Sequence, residues 1–116
     1  MKRKSRRWVR PHEMELALAF KLSTVVRGCE VHDSLRCENI QAAHVIPKQP
    51  LRKRGYGAEV VYDTRNGLGA CYEAHRRSDA GLERFPVSVI RDETWEFADE
   101  LDLRWMVEKL YGVQVW

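Results

Sequence analysis

A chain of 116 residues, 44% hydrophobic with a net charge of +3, is the size of one domain with a single modest core. No stretch approaches the ~20 apolar residues of a membrane span, and the basic N-terminus runs into Pro11, Glu13 and Glu15 without a small-residue cleavage site, so neither an anchor nor a signal peptide is expected. A chain that stays in the cytoplasm keeps its three cysteines reduced, as free thiols or metal ligands rather than disulfides.

Residues 1–10, "MKRKSRRWVR", hold six basic and no acidic side chains and are expected to be a disordered tail. From Pro11, a favoured first-turn residue, a helix is expected to about Val25 with Leu16, Phe20 and Ala19 inward. Residues 28–38, "GCEVHDSLRCE", form a tight polar loop with two cysteines. Residues 40–46 suggest a short strand that Pro47 ends. The basic stretch "KQPLRKRGYGAE" suggests a loop, "VVY" a second extended piece, and "DTRNG" a turn in which Asn-Gly supplies positive φ. "LGACYEAHRRSDAG" suggests a helix closed by Gly81.

The acidic end, 83–116, is expected to be helical, with Asp92 as N-cap and Glu93 in the first turn. Trp95, Phe97, Leu101, Leu103, Met106, Val107 and Leu110 are its candidate core. Residues 1–82 hold 16 Lys and Arg against 9 Asp and Glu, whereas 83–116 hold 4 against 8. A cationic end with a second cationic segment at 48–54 is the electrostatic footprint of a polyanion binder. The candidate phosphate contacts are Lys2, Arg3, Lys4, Arg6, Arg7, Lys48, Arg52, Lys53, Arg54, Arg76 and Arg77. A solubilising tail carries the same charge.

One histidine stands between an apolar turn and a proline, in "QAAHVIPKQ" at 41–49. Taken alone, His44 is a half-buried packing residue. Its company changes the reading: Pro47 three positions on, Asn66 in a later turn, and Cys71 and His75 beyond it. "AHVIP", "NGLGAC" and "CYEAH", in that order and with Cys29 and Cys37 upstream, resemble the HNH nucleases of the ββα-metal superfamily over about residues 28–80. The resemblance implies a small α+β fold: a ββα-metal core with a zinc-stapled loop, flanked by an N-terminal helix and C-terminal helices, all within one domain at 11–116.

It also implies metal-dependent cleavage of double-stranded DNA in a bacterial or phage-infected cell. His44 matches the general base, and a histidine titrates near neutrality, so it can take a proton from water. His75 matches the helix ligand of a divalent ion (Mg, Mn or Ni), and Asp79, one turn further, resembles a second ligand. Asn66, the middle letter, either binds the ion or holds the loop. Ala43 stands where many relatives have a ligand, and Gln41 is a substitute. Cys29, Cys37 and Cys71 match a structural zinc site, Ala74 replaces its fourth cysteine, and His32 completes a Cys3His set; three buried thiols are the plainer alternative. The other function carried forward is an HNH-like zinc module that binds DNA without cutting.

Overall fold

Helix α1 (Pro11–Val25) opens on its proline as expected, and the chain leaves it through Gly28 at φ 80°. In this computed structural model the described residues are 11–32, 37–79 and 85–111; the side chains of Pro11, Ser78 and Asp79 lie outside the description. The inner face of α1 is set by Phe20 and Thr24, both buried, while Ala19 faces out, against expectation.

Strands β1 (Ile40–His44) and β2 (Gly67–Cys71) form an antiparallel pair running from Ile40 opposite Cys71 to His44 opposite Gly67. Helix α4 (Tyr72–Asp79) follows β2 without a break and packs on both strands. The helix expected over the whole of "LGACYEAHRRSDAG" therefore starts only at Tyr72, and Gly81 lies outside the described residues. Gly67 and Gly69 are poor helix formers, and β1 offers the backbone partners that make them strand.

Two short helices replace the expected basic loop and second extended piece: α2 (Lys48–Lys53) and α3 (Ala58–Val61). Pro47, at ψ 153°, stays extended ahead of α2, and Pro50 falls in its first turn, where no intrahelical N–H is lost. Burial of Leu51 and Val61 fixes both helices against the core, which overrides the weak local preference of "VVY". Thr64–Asn66 is a 3-10 turn started by Asp63, whose carboxylate accepts from the Arg65 backbone N–H. Gly67 is extended at φ −89° rather than at positive φ. A glycine is required there because a Cβ would collide with Thr24 Oγ1.

The acidic end supplies a second 3-10 turn (Val87–Val89), helix α5 (Asp92–Glu100) and helix α6 (Arg104–Leu110), broken at Asp102 with φ 60°. Arg91, not Asp92, is the cap residue of α5, and Asp92 is its first helical position. Phe97, Leu103, Met106 and Val107 are buried in one cluster with Ala43, Leu68 and Ala74, so these helices complete the core around the hairpin. Leu110 and Trp105, by contrast, are largely exposed. Among the described residues this gives six helices and one two-stranded sheet, an α+β architecture, and no helix long and apolar enough to cross a membrane.

Gly69 is the tightest point of this assembly. A Cβ there would meet the Gly28 carbonyl oxygen, with the Thr24 carbonyl oxygen 3.2 Å away, and backbone cannot step aside as a flexible side chain can. Gly69→Ala is expected to cost about 2–3 kcal/mol and to lower Tm by roughly 10–20 °C. Gly57→Ala, whose Cβ would meet only Glu59 Oε1 at 3.5 Å, should change little. Thermal unfolding of the two variants side by side checks this packing.

A Cys3His cluster and the His44 turn

Four of the sequence candidates converge. Cys29 follows the turn after α1, His32 lies three residues on, Cys37 precedes β1, and Cys71 ends β2. Their ligand atoms all lie within 4.8 Å of one another and could hold a metal ion. His32 Nδ1 is 3.6 Å from Cys37 Sγ and 3.4 Å from Cys71 Sγ. A tetrahedral ion with metal–sulfur bonds of about 2.3 Å and a metal–nitrogen bond of about 2.0 Å sets its ligand atoms roughly 3.3–3.8 Å apart, so the contacts fit.

Backbone amides prepare the sulfurs for negative charge. The N–H groups of His32 and Cys71 point at Cys29 Sγ (3.3 and 3.4 Å), and that of Ala74, in the first turn of α4, points at Cys71 Sγ (3.4 Å). Burial alone would push the Cys29 thiol up, but the amides of His32, Cys71 and Val31, with the Cys37 thiol, outweigh it and bring it down. The Cys37 thiol is pushed up to about 11 by burial and then by the Cys29 and Cys71 sulfurs. Such crowding of anions is what a bound cation relieves.

A half-buried ionic network holds this loop to β2. Glu30 Oε1 accepts from the Gly69 N–H at 2.8 Å, the Glu30 N–H donates to the Gly69 carbonyl at 2.7 Å, and Arg91 Nη1 donates to both Glu30 oxygens at 3.1 and 3.0 Å. Arg91 and Arg27 each also donate to the Gly67 carbonyl at 3.0 Å. Nothing local in the sequence marks Glu30 or Arg91, which are 61 residues apart. An opening of about 430 Å³ lined by His32, Cys37, Glu38, Asn39, Cys71, Tyr72 and Glu73 leads to the cluster.

His44 ends β1 and stands under α1. Its ring stacks on Phe20, centroids 4.3 Å apart and planes at 19°, and meets Tyr62 edge-on at 5.7 Å. The pair could not be read from the sequence, where Phe20 is simply an inward helix residue. Burial, then the charge of Lys48 and more weakly of Arg52, lowers the His44 pKa to about 4, against the upward pull of a hydrogen bond with the Val61 backbone. The expectation of titration near neutrality is thereby corrected: His44 is neutral throughout the neutral range. Its Nε2 is buried and makes no hydrogen bond. A cavity of about 510 Å³ beside it is lined by Phe20, Lys21, Asn39, Ile40, Gln41 and Ala42.

This shift has a stability consequence. The unfolded chain protonates His44 near 6.5 and the folded chain only near 4, so between these values the unfolded state binds more protons. Stability due to this group is complete above about pH 6.5 and falls as pH drops toward 4. The Tm of the parent should fall several degrees more between pH 7 and pH 4.5 than that of His44→Gln; parallel melting curves over that range decide it.

Asn66 is committed to the loop. It is fully buried, its Oδ1 accepts from the Ile46 N–H at 2.8 Å, its Nδ2 donates to the Ile46 carbonyl at 2.9 Å, and its own carbonyl accepts from the Val45 N–H at 2.9 Å. These three bonds hold the two residues after His44 in place. Ala43 is buried in the core. His75 is half-buried on α4, the side chain of Asp79 lies outside the description, and the cavity beside His44 is not lined by His75. Among the described residues the Cys3His group is the one gathering of three or more His, Cys, Asp or Glu that could hold a metal.

The basic candidates divide. Lys48, Arg52 and Lys53 share one hollow on α2 with Gln49. Arg52 also pairs with Glu13 at 3.2 Å, Arg54 donates to the Pro50 carbonyl at 3.3 Å, and Arg76 pairs with Glu73 at 2.7 Å. Arg77 is half-buried on α4. Lys2, Arg3, Lys4, Arg6 and Arg7 lie outside the described residues. Comparison of the chain with protein-family models, with curated proteins and with solved structures gave no match to any of them.

Proposed function

We propose that the chain is an HNH-type, metal-dependent DNA endonuclease whose Cys3His cluster holds a structural zinc. The observation that carries the reading is the Asn66 clamp. A buried Asn in the turn before β2 spends its whole side chain on the residue two places after His44, on a hairpin that leads straight into the helix bearing His75. These bonds fix the course of the backbone directly after His44. Three thiolates and an imidazole at tetrahedral spacing favour zinc over hard cations that prefer oxygen.

In this reading DNA lies along the cationic α2, its phosphates met by Lys48, Arg52 and Lys53. Neutral His44 accepts a proton from the attacking water through Nε2, the ring nitrogen left without a partner, while stacking on Phe20 fixes the ring plane. A divalent ion held at His75 would take up charge on the scissile phosphate.

The enclosed Nε2 favours the other reading, a zinc-bound scaffold that grips DNA without cutting. A plasmid-cleavage assay run beside a DNA-binding measurement separates the two. Cutting with added divalent ion supports the nuclease, and binding without cutting supports the scaffold.

A further inference from the structure

Helix α1 is apolar on both sides. Its inner face buries Phe20 and Thr24. On the outer face Met14, Leu18, Leu22 and Val26 recur at every fourth residue and stand 59%, 56%, 57% and 80% exposed. Val26 prolongs the row because its N–H still bonds the Leu22 carbonyl at 3.3 Å. Isolated surface leucines need no explanation, but an unbroken row does. A helix with apolar residues all round is ordinarily one that is covered all round.

The row is also shaped to meet its own kind. Residues four apart form a ridge, and the neighbouring row holds Glu15, Ala19 and Ser23, where the short Ala19, itself exposed, leaves a groove beside the leucines. Ridge and groove on one surface satisfy an isologous two-fold contact, with two such helices crossing near −50°. Antiparallel pairing is favoured by charge, since it sets the half of α1 that carries exposed Glu15 beside the half of the other copy that carries exposed Lys21. The four side chains expose roughly 400 Å² per copy, at the level of the largest apolar patch a monomer usually leaves bare. Two copies with their flanking residues bury on the order of 1,000–1,200 Å², the low end for a specific interface and matched to micromolar affinity.

We propose that the outer face of α1 is a self-association surface on which a second copy of the chain packs antiparallel. This does not rest on the nuclease reading, because the surface lies opposite the face that covers His44.

Sedimentation velocity of the full, metal-loaded chain from about 1 to 200 µM reads it directly. The expected result is a concentration-dependent rise from the 13.6 kDa monomer toward twice that mass. The double variant Leu18→Glu with Leu22→Glu should stay monomeric at every concentration, as should Leu18→Lys with Leu22→Lys. An equimolar mixture of the two variants should recover dimer, which a misfolded variant could not do. A parent that stays monomeric throughout, including because another segment of its own chain covers the row, overturns the proposal. A Glu variant that still dimerises, or a mixture that gains no mass, does so equally.

Discussion

Removing the metal from the Cys29, His32, Cys37 and Cys71 cluster should lower the melting temperature by about 15–30 °C. Ion present at about a thousand times its Kd contributes about 4 kcal/mol to the folded state, and each kcal/mol is worth roughly 4–8 °C in a domain near this size. The effect is large because the ligands come from three separate segments: the loop after α1, the approach to β1 and the end of β2. Binding must also displace the Cys37 proton, since burial and then the Cys29 and Cys71 sulfurs hold that thiol up at about 11. Affinity should therefore fall as pH falls, because protons compete for the thiolates. Cys71→Ser should be the most damaging single change, as Cys71 is buried and bonded by the Ala74 amide. Zinc analysis of the purified protein, with calorimetry before and after a chelator, reads this. A zinc-free preparation with an unchanged, cooperative transition would overturn the cluster's assignment.

The second large effect is on cutting. His44→Ala is expected to slow DNA cleavage by about 10²–10⁴, the usual cost of losing a general base, while DNA binding stays close to the parent's. Alanine also leaves a space between Phe20 and Tyr62, so a loss of roughly 2 kcal/mol in stability should accompany it. His44→Gln fills more of that space without supplying a base and should be as slow with a smaller stability loss. The pH profile gives an independent reading. With the His44 pKa held near 4 by burial and by Lys48, the acid limb of the rate should lie well below the 6.5 of an ordinary histidine. A His44→Ala protein that nicks plasmid as fast as the parent removes His44 from the chemistry.

What the sequence made legible divides along physical lines. The gathering of Cys29, His32, Cys37 and Cys71 could be read because their residue types and spacing suit one metal ion, which needs them close together. The bounds of α1 could be read because Pro11 and the apolar run that follows are local signals. The two helices between the strands have no local signal, because Leu51 and Val61 are placed by tertiary burial, which "KQPLRK" and "AEVV" do not announce. The strand at Gly67–Cys71 has no local signal because its partners lie 23–31 residues away in sequence. The environment of His44 was invisible for the same reason: the stacking ring comes from a helix 24 residues upstream. Its pKa followed from that packing rather than from the motif. Asn66 can be singled out in the sequence, but its bonds to the Ile46 backbone, 20 residues away, cannot.

Nuclease activity is tested most directly by conversion of supercoiled plasmid by the zinc-loaded parent protein, with Mg²⁺ or Mn²⁺ added and with neither. Zinc occupancy and Tm are measured in the same samples, so that loss of fold is not mistaken for loss of chemistry. Nicked or linear DNA is expected only when the second ion is present, with Mn²⁺ more effective than Mg²⁺ because imidazole favours it. A folded, zinc-loaded protein that retards the plasmid on a gel but leaves it fully supercoiled at every ion concentration would contradict the nuclease.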